Sequence, residues 1–236
     1  MARAKVDHLG SQAGGRGRLQ VCPRLPIETT PLGLQPLGLS TGRDGLLYVP
    51  AASQSGQPMP FVLLLHGAGG NAQHSLAPLL QLADEAGLIL LAPESRGRTW
   101  DLLLSDYGPD VAFIDRALTH TFARYALDPV HLAIGGFSDG ASYALSLGLT
   151  NGDLFSHIMA FSPGFAAPAS QHGLPRIYVS HGTHDLVLPV NACSRQIVPA
   201  LRRRGYDVSY HEFDGGHTVP AEIAREAVGW FRGERE

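Results

Sequence analysis

A serine lies at the centre of the pentapeptide Gly136-Phe137-Ser138-Asp139-Gly140, between a predicted strand and a helix-like stretch. A serine on such a sharp strand-to-helix turn is held in a strained conformation, with its hydroxyl exposed above the sheet. Side chains two residues to either side would collide with the turn unless both are glycine, as they are here. The context predicts that Ser138 is a nucleophile. The alternative is a Gly-rich turn that binds phosphate, which is less favoured because the sequence has no GxGxxG motif and no acidic ribose partner.

Serine is a weak nucleophile at neutral pH, so it needs a general base and a carboxylate that orients that base. Asp185 lies directly after one predicted strand, and His217 lies after the last one. The carboxyl ends of parallel strands meet at one edge of a sheet, so both residues should reach the same edge as Ser138. The order Ser, Asp, His is the one expected for this type of turn, and we predict a catalytic triad of Ser138, Asp185 and His217.

Other residues near these positions could serve instead. Asp214 lies just before the predicted base, and it is better explained as a turn residue that hydrogen-bonds its own backbone. Asp139 is adjacent to the nucleophile, but its side chain should face away. His181 and His184 next to Asp185 could ligate a metal. The spacings of known zinc motifs are absent, and we predict no metal site.

Acyl transfer also requires N–H donors where the tetrahedral oxyanion forms. One donor is typically the N–H that follows the nucleophile, which here belongs to Asp139. The second typically comes from an early strand-to-helix loop, and residues 66–71, His-Gly-Ala-Gly-Gly-Asn, follow the first predicted parallel strand. The glycines let this backbone bend, so we predict that the N–H of Ala68 is the second donor. Taken alone, the segment would be better explained as a plain Gly-rich turn.

These residues need a scaffold that brings strand ends together, and from residue 61 onward short apolar runs alternate with longer amphipathic stretches. The pattern is typical of parallel strands covered by helices. The predicted strands are 61–65, 88–92, 130–134, 157–161, 176–180 and 208–213. The predicted helices are 76–86, 109–125, 139–149, 191–204 and 221–231. Ahead of them, residues 37–40 and 46–49 flank a Gly-Arg-Asp-Gly turn and predict an antiparallel hairpin.

Length and composition favour one globular domain. The chain has 236 residues, of which 44% are hydrophobic and 17% charged, and this is enough to bury a substantial core. Residues 1–35 mix Gly, Arg, Pro and Leu without periodicity, so we expect a disordered or irregular segment there. A single domain should follow over residues 36–236. The later loops are too short to hold a cap domain.

Charge, lysine and cysteine usage exclude several classes of function. A formal net charge of -3 argues against a nucleic-acid surface. Lys5 is the only lysine, so pyridoxal enzymes, phosphate loops and kinases lack their lysine, and we expect no cofactor. The longest apolar runs are about five residues, whereas a membrane helix needs roughly twenty. Cys22 and Cys193 form no disulfide or metal pattern, and a signal-peptide core is missing, so we expect a cytoplasmic protein.

The chain resembles the phospholipase/carboxylesterase branch of the α/β-hydrolases in four motifs taken together: HGAGGN, GFSDG, HGTHDLVLP and GGHT. This branch includes acyl-protein thioesterase-like enzymes and small bacterial esterases. The resemblance covers about residues 45–232, and the lead-in GRDGLLYVP is similar to polyhydroxybutyrate depolymerase-type and feruloyl esterases. It implies an α/β-hydrolase fold with a mostly parallel, doubly wound sheet, an N-terminal antiparallel hairpin and no cap domain. It also implies the roles already given to Ser138, Asp185, His217 and the N–H groups of Ala68 and Asp139.

Substrate selection must come from the remaining loops at this edge. Residues 95–108 contain Trp100 and residues 162–175 contain Phe165, and either could line an acyl pocket, as could Leu186; the alternative for Trp100 is core packing. We predict a serine carboxylic-ester hydrolase that acts through an acyl-enzyme on short-acyl or carrier-linked esters. The alternatives are a thioesterase or lysophospholipase, a polyester-type or feruloyl esterase and, outside enzymes, a non-catalytic binding module of the same fold. Aspartate at position 139, where thioesterases of the branch often have glutamine, argues against thioester specificity.

Overall fold

The computed structural model describes residues 16–23, 31–55 and 57–234, which form eight strands and seven α-helices. The strands are β1 (Gly33–Pro36), β2 (Gly45–Val49), β3 (Met59–Leu65), β4 (Ile89–Pro93), β5 (Leu127–Phe137), β6 (His157–Phe161), β7 (Arg176–Gly182) and β8 (Val208–Phe213). The helices are α1 (Ala72–Leu80), α2 (Ala83–Ala86), α3 (Asp101–Leu104), α4 (Pro109–Phe122), α5 (Asp139–Thr150), α6 (Ser194–Arg203) and α7 (Ala221–Arg232). A 3₁₀ helix at Ala51–Ser55 leads into β3.

All eight described strands belong to one sheet, in the order β1-β2-β4-β3-β5-β6-β7-β8. The strands from β3 to β8 run parallel, while β1 pairs with β2 and β2 with β4 in antiparallel orientation. This confirms the mostly parallel sheet with an N-terminal hairpin. The strand order changes direction at β3, which has β4 on one side and β5 on the other. Ligand sites of open α/β sheets lie at the carboxyl ends of strands around such a point.

Helices cover both faces of the sheet, which explains why its central strands are continuously apolar. Successive residues of β3 point to opposite faces: Phe61 and Leu63 belong to one core, and Val62 and Leu64 to the other. Helices α4, α5 and α6 pack on the first face, and α1, α2 and α7 pack on the second. Each fully buried leucine or phenylalanine contributes about 1.5–3 kcal/mol. The core therefore fixes the strand ends that carry the candidate residues.

The predicted strands agree with β3 to β8 to within a few residues, and β6 and β8 have the predicted bounds. The helix predicted at 76–86 is wrong in its bounds, because a break divides this stretch into α1 and α2. Helix α1 also begins earlier, directly after Asn71. The Asn71 side chain caps the helix by accepting the N–H of His74 at 3.1 Å. Asparagine before a helix is a start signal that the sequence carried.

The first strand of the predicted hairpin is misplaced. The sequence predicted residues 37–40, whereas β1 is Gly33–Pro36 and pairs with β2. The Asp44 carboxylate accepts the N–H groups of Gly38 at 2.8 Å and Leu39 at 3.0 Å. These two N–H groups therefore bond to a side chain and are not part of the strand ladder, so the hairpin has a longer connection than the predicted tight turn.

Residues 16–23 form no helix or strand, but they contact the rest of the domain closely. Leu19 and Val21 are 7% and 8% exposed and belong to the hydrophobic core. The N–H of Leu19 donates to Asn151 Oδ1 at 2.9 Å. The two following N–H groups donate to Asp115 Oδ1 at 2.7 and 3.0 Å. A segment that buries apolar side chains and satisfies its backbone in this way contributes to folding stability.

The domain boundary predicted at residue 36 stays a prediction. Of the predicted irregular segment, residues 1–15 and 24–30 lie outside the described residues. We propose that residues 16–23 are part of the folded domain, because their side chains belong to its core.

Two long connections border the carboxyl edge of the sheet. The connection between β4 and α4 contains only the short helix α3, and the connection between β6 and β7 contains no helix or strand. Within residues 57–234 no cap domain is inserted. Where the structure describes the chain, none of its helices combines the length and the apolar character needed to cross a membrane.

Replacing Leu19 with alanine tests whether the N-terminal segment belongs to the fold. The change removes buried methyl groups, so Leu19→Ala should destabilise the protein by about 2 to 3 kcal/mol. Thermal unfolding should then occur about 4 to 10 °C lower than in the wild type. Leu34→Ala is the matched control, because Leu34 on β1 is 52% exposed and its loss should change stability little. Equal unfolding temperatures for wild type and Leu19→Ala would contradict the proposal.

Candidate active site

Ser138 occupies the turn between β5 and α5 in a conformation that non-glycine residues rarely adopt, with φ 59° and ψ -120°. Among the described non-glycine residues, only Ser162 also has a positive φ. The N–H of Ser138 donates to Phe161 O on β6 at 2.9 Å, and its carbonyl accepts the N–H groups of Ala141 and Ser142, each at 3.0 Å. These hydrogen bonds to β6 and α5 hold the strained turn in place.

The glycines on either side of the turn are required by close backbone contacts. A Cβ on Gly136 would lie 2.4 Å from Gly140 O, and a Cβ on Gly140 would lie 2.1 Å from Leu65 O. Both distances are far below a possible contact. A Cβ on Gly67 would meet Ser138 Cβ at 3.3 Å, so the chain after β3 passes directly beside the serine. The glycine spacing therefore lets β3, β5 and the start of α5 converge.

A continuous chain of hydrogen bonds runs from Ser138 through His217 to Asp185. His217 Nδ1 lies 2.6 Å from Asp185 Oδ2, and His217 Nε2 lies 2.8 Å from Ser138 Oγ. A carboxylate only accepts, so Nδ1 carries the proton and donates it to Asp185. Nε2 then accepts the hydroxyl proton of Ser138. The imidazole is held in the tautomer that a general base for the serine requires.

Asp185 is held in its charged form although it is only 4% exposed. Burial would raise the pKa of this carboxyl, but hydrogen bonds from the N–H of Leu188, from His217 and from the N–H of Val187 outweigh it, so the pKa is below its ordinary value. Both N–H groups donate to Oδ1 at 2.8 Å. Oδ2 stays free to accept from His217, and the loop itself therefore stabilises the carboxylate.

His181 lies behind Asp185 and is fully buried. Burial lowers the pKa of its imidazole, so the ring is neutral at physiological pH. Its Nε2–H donates to Leu188 O at 2.7 Å and also lies 3.3 Å from Asp185 Oδ2, while Nδ1 accepts from Ser194 Oγ at 2.7 Å. His181 thus fixes the loop that presents the carboxylate.

Asp214 and His184, the competing residues, pair with each other instead. Their side chains form an exposed pair, with Asp214 Oδ1 2.9 Å from His184 Nδ1 and exposed fractions of 91% and 74%. Asp214 makes no hydrogen bond to His217 among the described residues. The geometry therefore places Asp185, and not Asp214, against the imidazole.

The 66–71 loop after β3 lies next to the serine and is fixed by several hydrogen bonds. The N–H of Gly70 donates to Gly67 O at 3.0 Å, and the N–H of Gly69 donates to Arg98 O at 2.8 Å. Among the described residues, neither the N–H of Ala68 nor that of Asp139 donates to a protein acceptor. Both predicted donors are therefore available to a ligand.

The Asp139 carboxylate forms a hydrogen bond with the side chain of Thr99. Thr99 Oγ1 donates to Asp139 Oδ2 at 2.7 Å. A carboxylate aimed at the site would oppose a developing negative charge there. The contact with Thr99 holds the carboxylate aside while the backbone N–H of Asp139 stays at the turn.

The three residues suggested for a substrate pocket differ in how far they are buried. Trp100 is fully buried: its indole packs between the rings of His66 and Tyr143, and its Nε1 donates to His66 O at 2.8 Å. The prediction of a pocket role for Trp100 is wrong because its indole is needed to fill the core beneath the 66–71 loop. Phe165 is half-buried, and Leu186 is 93% exposed beside Asp185.

Three polar residues of the site were not identified from the sequence as supports: Arg43, His181 and Thr99. Arg43 and Thr99 lie in two different connections and His181 lies near the end of β7, and each contacts the site through its side chain. His181 was considered only as a metal ligand, and Arg43 only as part of a turn. Asparagine and glycine signals mark turns and caps, but no local pattern in the sequence marks a side chain that supports a distant loop.

The chain is similar in sequence to known esterases and thioesterases. A family model described as Phospholipase/Carboxylesterase matches residues 112–227, which include Ser138, Asp185 and His217. The chain is 28% identical over 158 residues to a probable feruloyl esterase C of Aspergillus clavatus, covering 64% of this chain and 57% of that relative. It is 25% identical over 235 residues to acyl-protein thioesterase 1 of Gibberella zeae, covering 82% and 97% of the two chains. The chain thus spans little more than half the length of the first relative and nearly all of the second.

A solved structure is also similar. The crystal structure of esterase PE8 matches with a TM-score of 0.66 and 26% identity, over 81% of this chain and 98% of that one.

Proposed function

We propose that the chain is a serine esterase of the phospholipase/carboxylesterase branch of the α/β-hydrolases, and that it hydrolyses carboxylic esters through an acyl-enzyme on Ser138. The observation that carries the proposal is the hydrogen-bond chain from Ser138 through His217 to Asp185, with lengths of 2.8 and 2.6 Å. Each of the three side chains follows the carboxyl end of a different parallel strand, so one rigid sheet positions all of them.

In the acylation step, His217 Nε2 removes the hydroxyl proton of Ser138 as Oγ attacks the ester carbonyl carbon. The carbonyl oxygen becomes negatively charged in the tetrahedral intermediate and accepts hydrogen bonds from the N–H groups of Ala68 and Asp139. When the intermediate collapses, the bond to the alcohol oxygen breaks, and the protonated His217 gives its proton to the leaving alcohol. The acyl group is then bound to Ser138.

In the deacylation step, the same groups act on water. His217 removes a proton from a water molecule as its oxygen attacks the acyl carbonyl, and the second tetrahedral intermediate expels Ser138 Oγ, which recovers its proton from His217. Asp185 stays ionised throughout and stabilises the imidazolium that forms in each step. Its two N–H donors, described above, keep it charged inside the protein.

The open mouth of the site favours short acyl groups or esters on a bulky carrier. Phe165 is half-buried, whereas Leu186 and Val187 are 93% and 65% exposed, so apolar side chains border an uncapped site. A small pocket whose lining includes Gly67 and Phe137 has a volume of ≈ 40 Å³. That is room for about three water molecules, which excludes a long acyl chain from this cavity.

Esters are the preferred substrate class, and thioesters are the second. The thioesterase relative supports thioesters, while the aspartate at position 139 argues for esters. A feruloyl or polyester-type substrate would also suit an open cleft. A non-catalytic binding module is disfavoured, because binding alone would need neither the strained serine nor the ordered imidazole. The cytoplasmic location stays a prediction of the sequence.

Replacing Ser138 with alanine should abolish ester hydrolysis by removing the attacking oxygen. The expected loss in kcat is on the order of a million-fold, with an unchanged unfolding temperature. The measurement is the hydrolysis of nitrophenyl butyrate by the purified variant. Ser162→Ala is the matched control, because Ser162 also follows a strand with a positive φ but is fully buried. A Ser138→Ala protein that kept more than a few per cent of activity would contradict the assignment.

Asp185→Asn and Asp214→Asn should differ sharply. An amide at position 185 would favour the wrong tautomer of His217, and the expected loss in kcat is about three to four orders of magnitude. Asp214 is exposed and contacts His184, not His217. Its replacement should therefore change kcat by less than about threefold, as expected for a surface residue. Steady-state kinetics of both variants on one ester would show which of the two carboxylates orients His217. The reverse ranking would make Asp214 the orienting carboxylate.

A substrate panel should separate the ester classes. We expect kcat/KM on nitrophenyl esters to fall as the acyl chain grows from two to about eight carbons, and acetyl-CoA to be hydrolysed more slowly than nitrophenyl acetate. Methyl ferulate and a soluble polyester fragment complete the panel. Faster hydrolysis of acyl-CoA, or a preference for the longest chain, would contradict the proposed substrate class while leaving the chemistry on Ser138 intact.

A further inference from the structure

We propose that Arg43 is a positioning residue for the 66–71 loop, and through it for the N–H of Ala68 that faces the reacting carbonyl oxygen. This inference rests on the proposed function, because it concerns the same site. Arg43 lies in the connection between β1 and β2, far from the triad in sequence and outside the segments that carry it.

The guanidinium group of Arg43 joins the 66–71 loop to the end of β4. Its Nη2 donates to Gly70 O at 2.8 Å, and its Nε donates to Ser95 O at 2.5 Å. Nη2 also lies 3.1 Å from His66 Nε2. The planar guanidinium thus contacts His66 and Gly70 of the 66–71 loop and Ser95, two residues after β4, with one rigid group, which a lysine ammonium could not do.

His66 completes the connection. Its Nδ1 lies 2.7 Å from Gly67 O, and a carbonyl only accepts, so Nδ1 carries the ring proton. Nε2 is then an acceptor, and the N–H of Ser95 donates to it at 3.0 Å. His66 is 1% exposed, and its ring is held by Gly67 O on one side and, on the other, by Ser95, a residue that Arg43 also contacts.

The 66–71 loop needs such external support. Gly67, Gly69 and Gly70 have no side chains to pack, and Gly69 has φ 69°. Glycine has the largest conformational freedom of any residue, so this backbone would sample many positions without contacts that fix it. An oxyanion donor is effective only if it is already in place when the charge develops. Arg43 provides two of the contacts that fix the loop from outside.

The hairpin itself does not depend on Arg43. The neighbouring Asp44 holds the connection through its carboxylate, and its carbonyl accepts the N–H of Glu94 at 2.9 Å. Strand β2 is also paired with β4. The side chain of Arg43 is 33% exposed, and Glu94 Oε2 lies 3.7 Å from its Nε. A variant that loses the guanidinium should therefore fold and leave a small, solvent-accessible gap.

The experiment measures kcat and KM of Arg43→Ala, Arg43→Lys and Arg116→Ala on nitrophenyl acetate. Arg116 is the matched control, because it donates to Leu39 O of the same connection at 2.9 Å but does not contact the 66–71 loop. Arg43→Ala should lower kcat about 10- to 100-fold, less than the loss of an oxyanion donor, and change KM less than threefold. The kcat of Arg43→Lys should lie between those of Arg43→Ala and the wild type, and the kcat of Arg116→Ala should equal that of the wild type.

Two further measurements separate positioning from general destabilisation. Guanidinium ion at low millimolar concentration should partly restore kcat of Arg43→Ala and leave the wild type and Arg116→Ala unchanged. Hydrogen exchange should be faster in the peptide that contains residues 66–71 of Arg43→Ala, and unchanged in peptides from α7. If Arg43→Ala fails to fold, Arg43→Lys provides the same kinetic and exchange measurements.

An unchanged kcat in Arg43→Ala, an equal fall in kcat for Arg116→Ala, or unchanged exchange over residues 66–71 would overturn the inference. Failure of the proposed function gives a different result, in which activity of the wild type does not depend on Ser138. In that case hydrogen exchange still decides whether Arg43 holds the 66–71 loop.

Discussion

The turn at Ser138 imposes a backbone constraint on which the arrangement of the site depends. A non-glycine residue at φ 59° is strained, and it persists because β6, α5 and the chain after β3 all bond to it or pack against it. Gly136 and Gly140 leave no room even for a Cβ. The same closeness that forces glycine at these positions brings the 66–71 loop beside the serine. The positions of the proposed nucleophile and of the nearby N–H groups are therefore consequences of one packing arrangement.

Polar side chains and backbone groups around this turn hold the loops of the site in place through hydrogen bonds. On one side, Leu188, Val187 and His181 hold Asp185 against the imidazole. On the other side, Arg43 and Trp100 hold the 66–71 loop. Asp185, His181 and Trp100 are buried and hydrogen-bonded, so movement of the groups that they hold would leave buried polar atoms unsatisfied. We infer that the site is organised before the substrate arrives.

The sequence could predict those parts that depend on local patterns. The apolar strand segments, the glycines on either side of Ser138 and the order Ser, Asp, His can be read from short segments, and the parallel topology then brings Ser138, Asp185 and His217 to one edge. It could not predict contacts between distant segments. Trp100 was assigned to a pocket because an aromatic residue in a loop has no local signal for burial, and β1 was misplaced because the Asp44 carboxylate replaces the ladder at residues 38–39. Arg43 and the core residue Leu19 were missed for the same reason.

The central claim is that Ser138 is the nucleophile and that His217 activates it. Peptide mapping by mass spectrometry, after the protein reacts with an alkyl fluorophosphonate, tests the claim most directly. We predict one adduct per chain, on the peptide that contains Ser138, and at least a thousand-fold slower labelling in His217→Ala, on the scale expected for loss of a triad base. An adduct on the peptide that contains Ser162, or labelling that is as fast without His217, would contradict the account.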